Sequence, residues 1–142
     1  MLRHGAFFLD SGAFIASDKR RPFVASYIDA AERQGDAVIA PANVIVETWR
    51  EPAACGLTFI LASLDEVEPL DLPRAKAAGR LLGRADTQQI VDASVAETAA
   101  RHRPSLVLTS DADDIASLLR TLGCRVSQDA SDPQADVVVV SV

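Results

Sequence analysis

The stretch that most constrains this chain is Leu106-Val107-Leu108-Thr109-Ser110-Asp111-Ala112-Asp113-Asp114. Leu106 to Leu108 is a short apolar run of the kind that forms a buried strand. Thr109-Ser110 ends it, three carboxylates follow within four positions, and the apolar-periodic segment 115–119 continues as a helix. A strand that delivers acids at its C-terminal end, just as a helix begins, suits a metal site in an α/β sheet, because open parallel sheets bind ligands at that edge. Taken alone, the same acids also suit a plainer role. Asp111 can serve as an N-cap, and Asp113 and Asp114 as charges favoured by the helix dipole.

The start of the chain repeats the construction. The apolar run 5–9 predicts a central strand of a parallel sheet. Asp10-Ser11-Gly12 follows, and then apolar Ala13 to Ala16. Between the two sites, strands and helices alternate. Pro22 opens a helix with Phe23, Val24, Tyr27, Ile28 and Ala31 at helical spacing, closed by Gly35. A short strand over 37–40 leads through Pro41 into a helix over 43–50. There Asn43, Glu47, Arg50 and Glu51 share one face and Ile45, Val46 and Trp49 another, so Glu47 by itself reads as solvent-facing. A helix over 53–64 and a short strand over 67–70 follow, the latter near a sheet edge because of Pro69. The helix over 73–83 buries Ala75, Ala78, Leu81 and Leu82. On the helix over 88–102, Asp92 stands about one turn in, near the positive end of the dipole. A helix over 111–122, a strand over 124–127 and a polar loop lead to Val137 to Val140. That run is the most β-prone in the chain and must be buried in the sheet or an interface. The alternation predicts a three-layer α/β/α fold around a mainly parallel sheet, as one domain over 1–142.

Composition narrows the function. The chain has 142 residues, 49% hydrophobic and 24% charged, which is enough to bury a core without disulfides. Its apolar runs are too short to span a membrane, and residues 1–5 carry no signal-peptide pattern. Cys55 and Cys124 form no CxxC and read as small buried hydrophobes in a reducing, cytoplasmic setting. The net charge of −6 argues against broad electrostatic wrapping of nucleic acid, but it leaves room for a nuclease whose acidic site is offset by cations. The basic residues are grouped: Lys19, Arg20 and Arg21, then Arg74, Lys76, Arg80 and Arg84, then Arg101 and Arg103. Such groups are ordinarily solvated faces. Those at Lys19, Arg20, Arg80 and Arg84 are also candidates for guiding a polyanion past an acidic site.

Four segments thus carry acids in suggestive places: Asp10, Glu47, Asp92 and the Asp111 group. Hard cations such as Mg²⁺ and Mn²⁺ take oxygen ligands, a few carboxylates plus waters. Carboxylates crowded together without a cation repel and hold protons. The sequence has no HExxH, no Gly-rich phosphate loop and no GxSxG. His4 and His102 are isolated and read as solvent-exposed.

The order of these pieces resembles the PIN-domain ribonucleases, specifically the VapC-type toxins of bacterial toxin–antitoxin pairs. The matching stretches are Phe8-Leu9-Asp10-Ser11, Val44-Ile45-Val46-Glu47, 77–83, Val91-Asp92-Ala93-Ser94 and Leu108-Thr109-Ser110-Asp111-Ala112-Asp113-Asp114. The resemblance covers residues 5 to 127. It implies Mg²⁺- or Mn²⁺-dependent hydrolysis of RNA, with Asp10, Glu47, Asp92 and Asp111 as metal-binding acids and Asp114 or Asp113 assisting. It also implies Ser11 and Thr109 as hydroxyls that orient carboxylates, a homodimer, and a small VapB-like antitoxin that covers the site. Gly12 and Gln89 depart from the family pattern, and the run 137–140 lies beyond it.

Other readings compete. One is a catalytically weak or non-toxin PIN domain acting in RNA processing or binding. A haloacid-dehalogenase-like phosphatase needs a second Asp where Gly12 stands. A response-regulator receiver needs a Lys that is absent after the later strands. A purely structural module makes every acid a cap or a surface residue, and divalent-metal binding would reject it.

Overall fold

The structure is a computed structural model and describes residues 5–142. His4 and the rest of the segment 1–4 lie outside the described residues. The elements run β1 (Ala6–Leu9), α1 (Ser11–Ala16), α2 (Arg21–Gln34), β2 (Ala37–Pro41), α3 (Ala42–Thr48), α4 (Cys55–Ala62), β3 (Glu66–Glu68), α5 (Leu72–Ala85), α6 (Ile90–Arg101), β4 (Ser105–Thr109), α7 (Ala112–Thr121), β5 (Val126–Ser127) and β6 (Val137–Ser141). The strands form one six-stranded sheet in the order β3-β2-β1-β4-β6-β5, and every pairing in it is parallel.

Strand composition explains this order. β1 and β4 are continuous apolar runs and are buried along their whole length, as strands covered on both faces must be. Val137 to Val139 are buried too, because β6 lies inside the sheet between β4 and β5. That placement resolves the β-prone terminal run without an interface. β3, beside Pro69, is the edge strand expected there, although it covers Glu66–Glu68 rather than 67–70. Alternation along β1 separates the two helical layers. Phe7 meets Tyr27 of α2 (ring centroids 6.3 Å apart), and the next residue, Phe8, meets His102 beyond the end of α6 (5.7 Å). Successive strand side chains face opposite ways, so α2 and α6 lie on opposite faces.

Several local expectations are corrected. α3 buries Val44 and Thr48, while Val46 is 76% exposed, so the face with Ile45, Val46 and Trp49 is not the core face. Two turns of helix are too short for periodicity to choose. In α5, Ala78 and Leu81 are buried but Ala75 is exposed. Cys124 is buried and Cys55 is exposed. His102 is half-buried against Phe8, with Nε2 3.8 Å from Glu68 Oε2. Among the described residues, no helix is long and apolar enough to cross a membrane.

The chain builds outward from β1 to β2 and β3, then returns to the other side of β1 as β4. The gap between the C-terminal ends of β1 and β4 is therefore the switch point where an open parallel sheet forms a crevice.

Candidate metal centre

Asp10 and Asp111 leave the two strands that flank this switch point. Asp10 caps α1 with an extended backbone, and its Oδ1 accepts the Ser11 N–H at 2.7 Å. Its Oδ2 accepts the Thr109 hydroxyl at 2.6 Å. The same hydroxyl oxygen accepts the Asp111 N–H at 2.9 Å, so Thr109 ties the exits of β1 and β4 together and fixes both acids. Asp111 occupies the N-cap position of α7, yet its side chain makes no capping bond. The capping role that fits its sequence position is not the one it plays. Asp92 comes from the first turn of α6, which packs against β1, β2 and β4 and brings its N-terminus over the crevice. One oxygen each from Asp10, Asp92 and Asp111 lies within 4.8 Å of the others. Gly12 permits this convergence. A Cβ there would collide with the Ser110 side chain and backbone nitrogen, so α1 could not start so close to the end of β4.

The electrostatics are those of a site that lacks its counter-charge. Asp10 is 1% exposed and Asp92 8%. Burial, followed by the charges of Asp10, Asp111, Asp114 and Glu47, pushes the Asp92 carboxyl up to about 7. Burial also raises Asp10, with the Thr109 and Ser11 hydrogen bonds opposing it and Asp111 and Glu47 adding to it. The cleft over Glu47, Asp92 and Asp111 has a volume of about 610 Å³, and among the described residues no Lys, Arg or His lines it. Beside Asp10, the Ser11 hydroxyl is buried with no hydrogen-bond partner. An all-oxygen donor set with too much negative charge and a spare buried hydroxyl fits a hard divalent cation. It does not fit a softer metal that prefers sulfur or imidazole.

The other expected residues fall into two groups. Glu47 is exposed on α3 and outside the close trio, but it lines the same cleft and its charge reaches Asp10 and Asp92. Asp114 is exposed, accepts the Gln89 amide at 3.2 Å and adds to the charge felt by Asp92. Asp113 lines, together with Asp111, Asp114, Gln128 and Ser141, an adjoining cleft that meets the first at Asp111. Ser11 reaches Asp10 through its backbone N–H and not, as expected, through its hydroxyl. Of the basic candidates, Lys19 and Arg20 lie in the turn before α2, with the Arg20 guanidinium 4.4 Å from the centre of the Phe23 ring. Arg80 is exposed on α5, and Arg84 donates to the Thr121 carbonyl at 2.8 Å. None of the four lines the acidic cleft.

Sequence reasoning missed three participants. Ser94 accepts the Asn43 amide at 2.8 Å and ties α3 to α6 beside Asp92. Gln88 and Ile90 wall the cleft. The seryl position two residues after Asp92 was a usable signal, whereas Gln88 in the loop and Ile90 at the start of α6 carried none.

The PIN domain model matches residues 7–118. This chain belongs to the PIN-domain family. The match begins within β1 and ends within α7, so it encloses all three converging aspartates. PIN domains are generally metal-dependent nucleases, and the acid cluster described here is compatible with that chemistry. Among solved structures, the PIN domain is similar to the crystal structure of FitAcB from Neisseria gonorrhoeae. The identity is 18%, the TM-score is 0.56, and the match covers 94% of this chain and 96% of that one. At that identity the likeness speaks for the fold alone. No curated protein matches the sequence.

Proposed function

We propose that this PIN domain, as one unit over 1–142, is a metal-dependent endoribonuclease that hydrolyses RNA phosphodiester bonds as the toxin of a toxin–antitoxin pair. The observation that carries the reading is the approach of Asp10, Asp92 and Asp111 oxygens to within 4.8 Å, with no cationic side chain among the described residues that line the cleft. A Mg²⁺ or Mn²⁺ ion bound there supplies positive charge for the phosphodiester and a water of lowered pKa. Asp10, Asp92 and Asp111 hold the ion, and Glu47 and Asp114 add negative charge at its periphery. Thr109 keeps Asp10 and Asp111 in place through one hydroxyl. The partnerless Ser11 hydroxyl is positioned to bond a water beside Asp10. Lys19, Arg20, Arg80 and Arg84 lie outside the cleft and steer the RNA backbone toward it.

The rim supports a protein partner. Val46, 76% exposed, and Ile90, 60% exposed, both line the acidic cleft. Apolar side chains left open around a charged site are a surface that a partner covers. A small VapB-like antitoxin fills that role, and the toxin works as a homodimer in the cytoplasm. Incubation with total RNA tests the catalytic reading. The wild type cleaves with Mn²⁺ and not with EDTA, and Asp10→Asn and Asp92→Asn do not cleave. Cleavage retained by Asp10→Asn overturns it.

A further inference from the structure

The acidic cleft does not end at Asp92. A second cleft of about 460 Å³, lined by Leu82, Gly83, Asp86 and Thr87, shares Gln88 and Ile90 with it. One groove therefore leads from the acids out along the loop between α5 and α6. Each cleft falls in the range of ligand sites, roughly 300–1,000 Å³. Among the described residues, no Lys, Arg or His lines either one. A track for a phosphate backbone needs cations along it. What enters the outer cleft from a strand held at the acids is thus a base and not its phosphate.

Gln88 is built to meet a base. Its neighbours are anchored: the Thr87 N–H donates to the Leu82 carbonyl at 3.2 Å, and the Gln89 amide is committed to Asp114. Asn43, the other carboxamide of the groove, is committed to Ser94. Gln88 is exposed and lines both clefts at their shared boundary. A carboxamide offers a donor and an acceptor side by side, which is the pairing that reads a base edge, and unstacked bases of single-stranded RNA present such edges. Ile90 presents an apolar surface at the same boundary for the flat face of the ring.

We propose that Gln88, backed by Ile90, forms a nucleobase subsite beside the cleaved bond and sets the base preference of this chain on single-stranded RNA. The proposal rests on the ribonuclease reading above, and the test separates the two. Wild type, Gln88→Ala and Gln88→Glu are compared in two ways: by cleavage-site mapping on a randomised single-stranded RNA with Mn²⁺, and by binding of four short RNAs that differ at one base, in Ca²⁺. Wild type discriminates at one position flanking the cut. Gln88→Ala lowers that discrimination by about fivefold or more. Gln88→Glu, which only accepts, moves the preference toward bases that donate at their open edge, guanine through N1–H and N2–H or cytosine through its N4 amine. Melting temperatures confirm that the fold is kept, and a structural role would not move a base preference. Cleavage by all three proteins with one unchanged profile overturns the subsite and leaves the nuclease standing. Base-dependent binding that Gln88→Ala flattens, without any cleavage, supports the subsite and overturns the nuclease. Absence of both binding and cleavage in the wild type overturns both.

Discussion

Helix α6 contributes one acid to each of two groups, Asp92 and Glu97, that live in opposite electrical surroundings. At its N-terminus, Asp92 faces Asp10 and Asp111, and among the described residues no basic side chain lines the cleft. At its C-terminal end, buried Glu97 meets Arg101 at 2.6 Å, and Arg101 also meets buried Glu68 of the edge strand at 2.9 Å. Arg74 of α5 approaches Glu68 at 3.4 Å from the other side. Burial works against the Arg101 charge, but its bonds to Glu97 and Glu68 outweigh that and raise its pKa. Both groups are acidic, and Asp10, Asp92, Glu68 and Glu97 are buried, while Asp111 is exposed. One is neutralised by arginines and joins β3, α5 and α6, and the other holds like charges together. The fold pairs its acids with arginines at one end of the helix and, among the described residues, leaves those at the other end without a basic partner, which is the arrangement the proposed cation site rests on.

The largest expected effect lies at the paired end. Arg101→Met leaves Glu68 and Glu97 as buried carboxylates without their main partner. Breaking such a pair costs about 3–5 kcal/mol, and the partial exposure of Arg101 favours the lower figure. Urea denaturation measures it, and a loss under about 1 kcal/mol would show that the network does not hold the acids.

At the unpaired end the sign reverses. Asp92 titrates near 7 in the fold against 3.8 for an ordinary aspartate, so the native state binds the extra proton. Its favourable contribution is fully present below about pH 4 and is lost as pH rises toward 7. Metal-free protein is therefore less stable at pH 8 than at pH 5, by on the order of 2 kcal/mol at a slope of at most about 1.4 kcal/mol per pH unit. Asp92→Asn removes that loss and is the more stable protein at pH 8 in EDTA. A wild type equally stable at both pH values would place Asp92 among ordinary surface acids.

Much of this contrast was legible in the sequence, and the illegible part has physical causes. Asp10 and Asp111 announce themselves because each follows an apolar strand and precedes a helix, and Asp92 stands out on a flank of Ala and Val. Glu47 is exposed as its side of the helix predicted, but the core face of α3 was misassigned to Ile45, Val46 and Trp49, because two turns do not fix a period, and Val44 and Thr48 take that face instead. The Glu68–Arg101–Glu97 network was missed because Glu68 lies 33 residues from Arg101 and reads only as part of an edge strand. Glu97 and Arg101, four apart on one helix, were the available hint. Gln88 carries no local signal at all, since its importance arises only where two clefts meet.

A smaller effect sharpens the comparison at its hinge. Thr109→Val removes the donor to Asp10 and the acceptor for the Asp111 N–H. It costs about 1–2 kcal/mol in thermal or urea unfolding and lowers Mn²⁺ affinity, because two acids lose their common anchor. Unchanged Mn²⁺ affinity would show that the acids position themselves.

The most direct test is the melting temperature of the wild type at pH 8 in EDTA and in excess Mn²⁺, with Asp10→Asn measured beside it. A cation bound only by the native state stabilises by about 2.7 kcal/mol at a hundredfold excess over its Kd. The wild type should therefore melt higher with Mn²⁺, and Asp10→Asn should lose most of that rise. The rise should also shrink toward pH 5, where protons compete for Asp92. A wild type whose melting temperature does not respond to Mn²⁺ at pH 8 contradicts the claim that these aspartates await a cation.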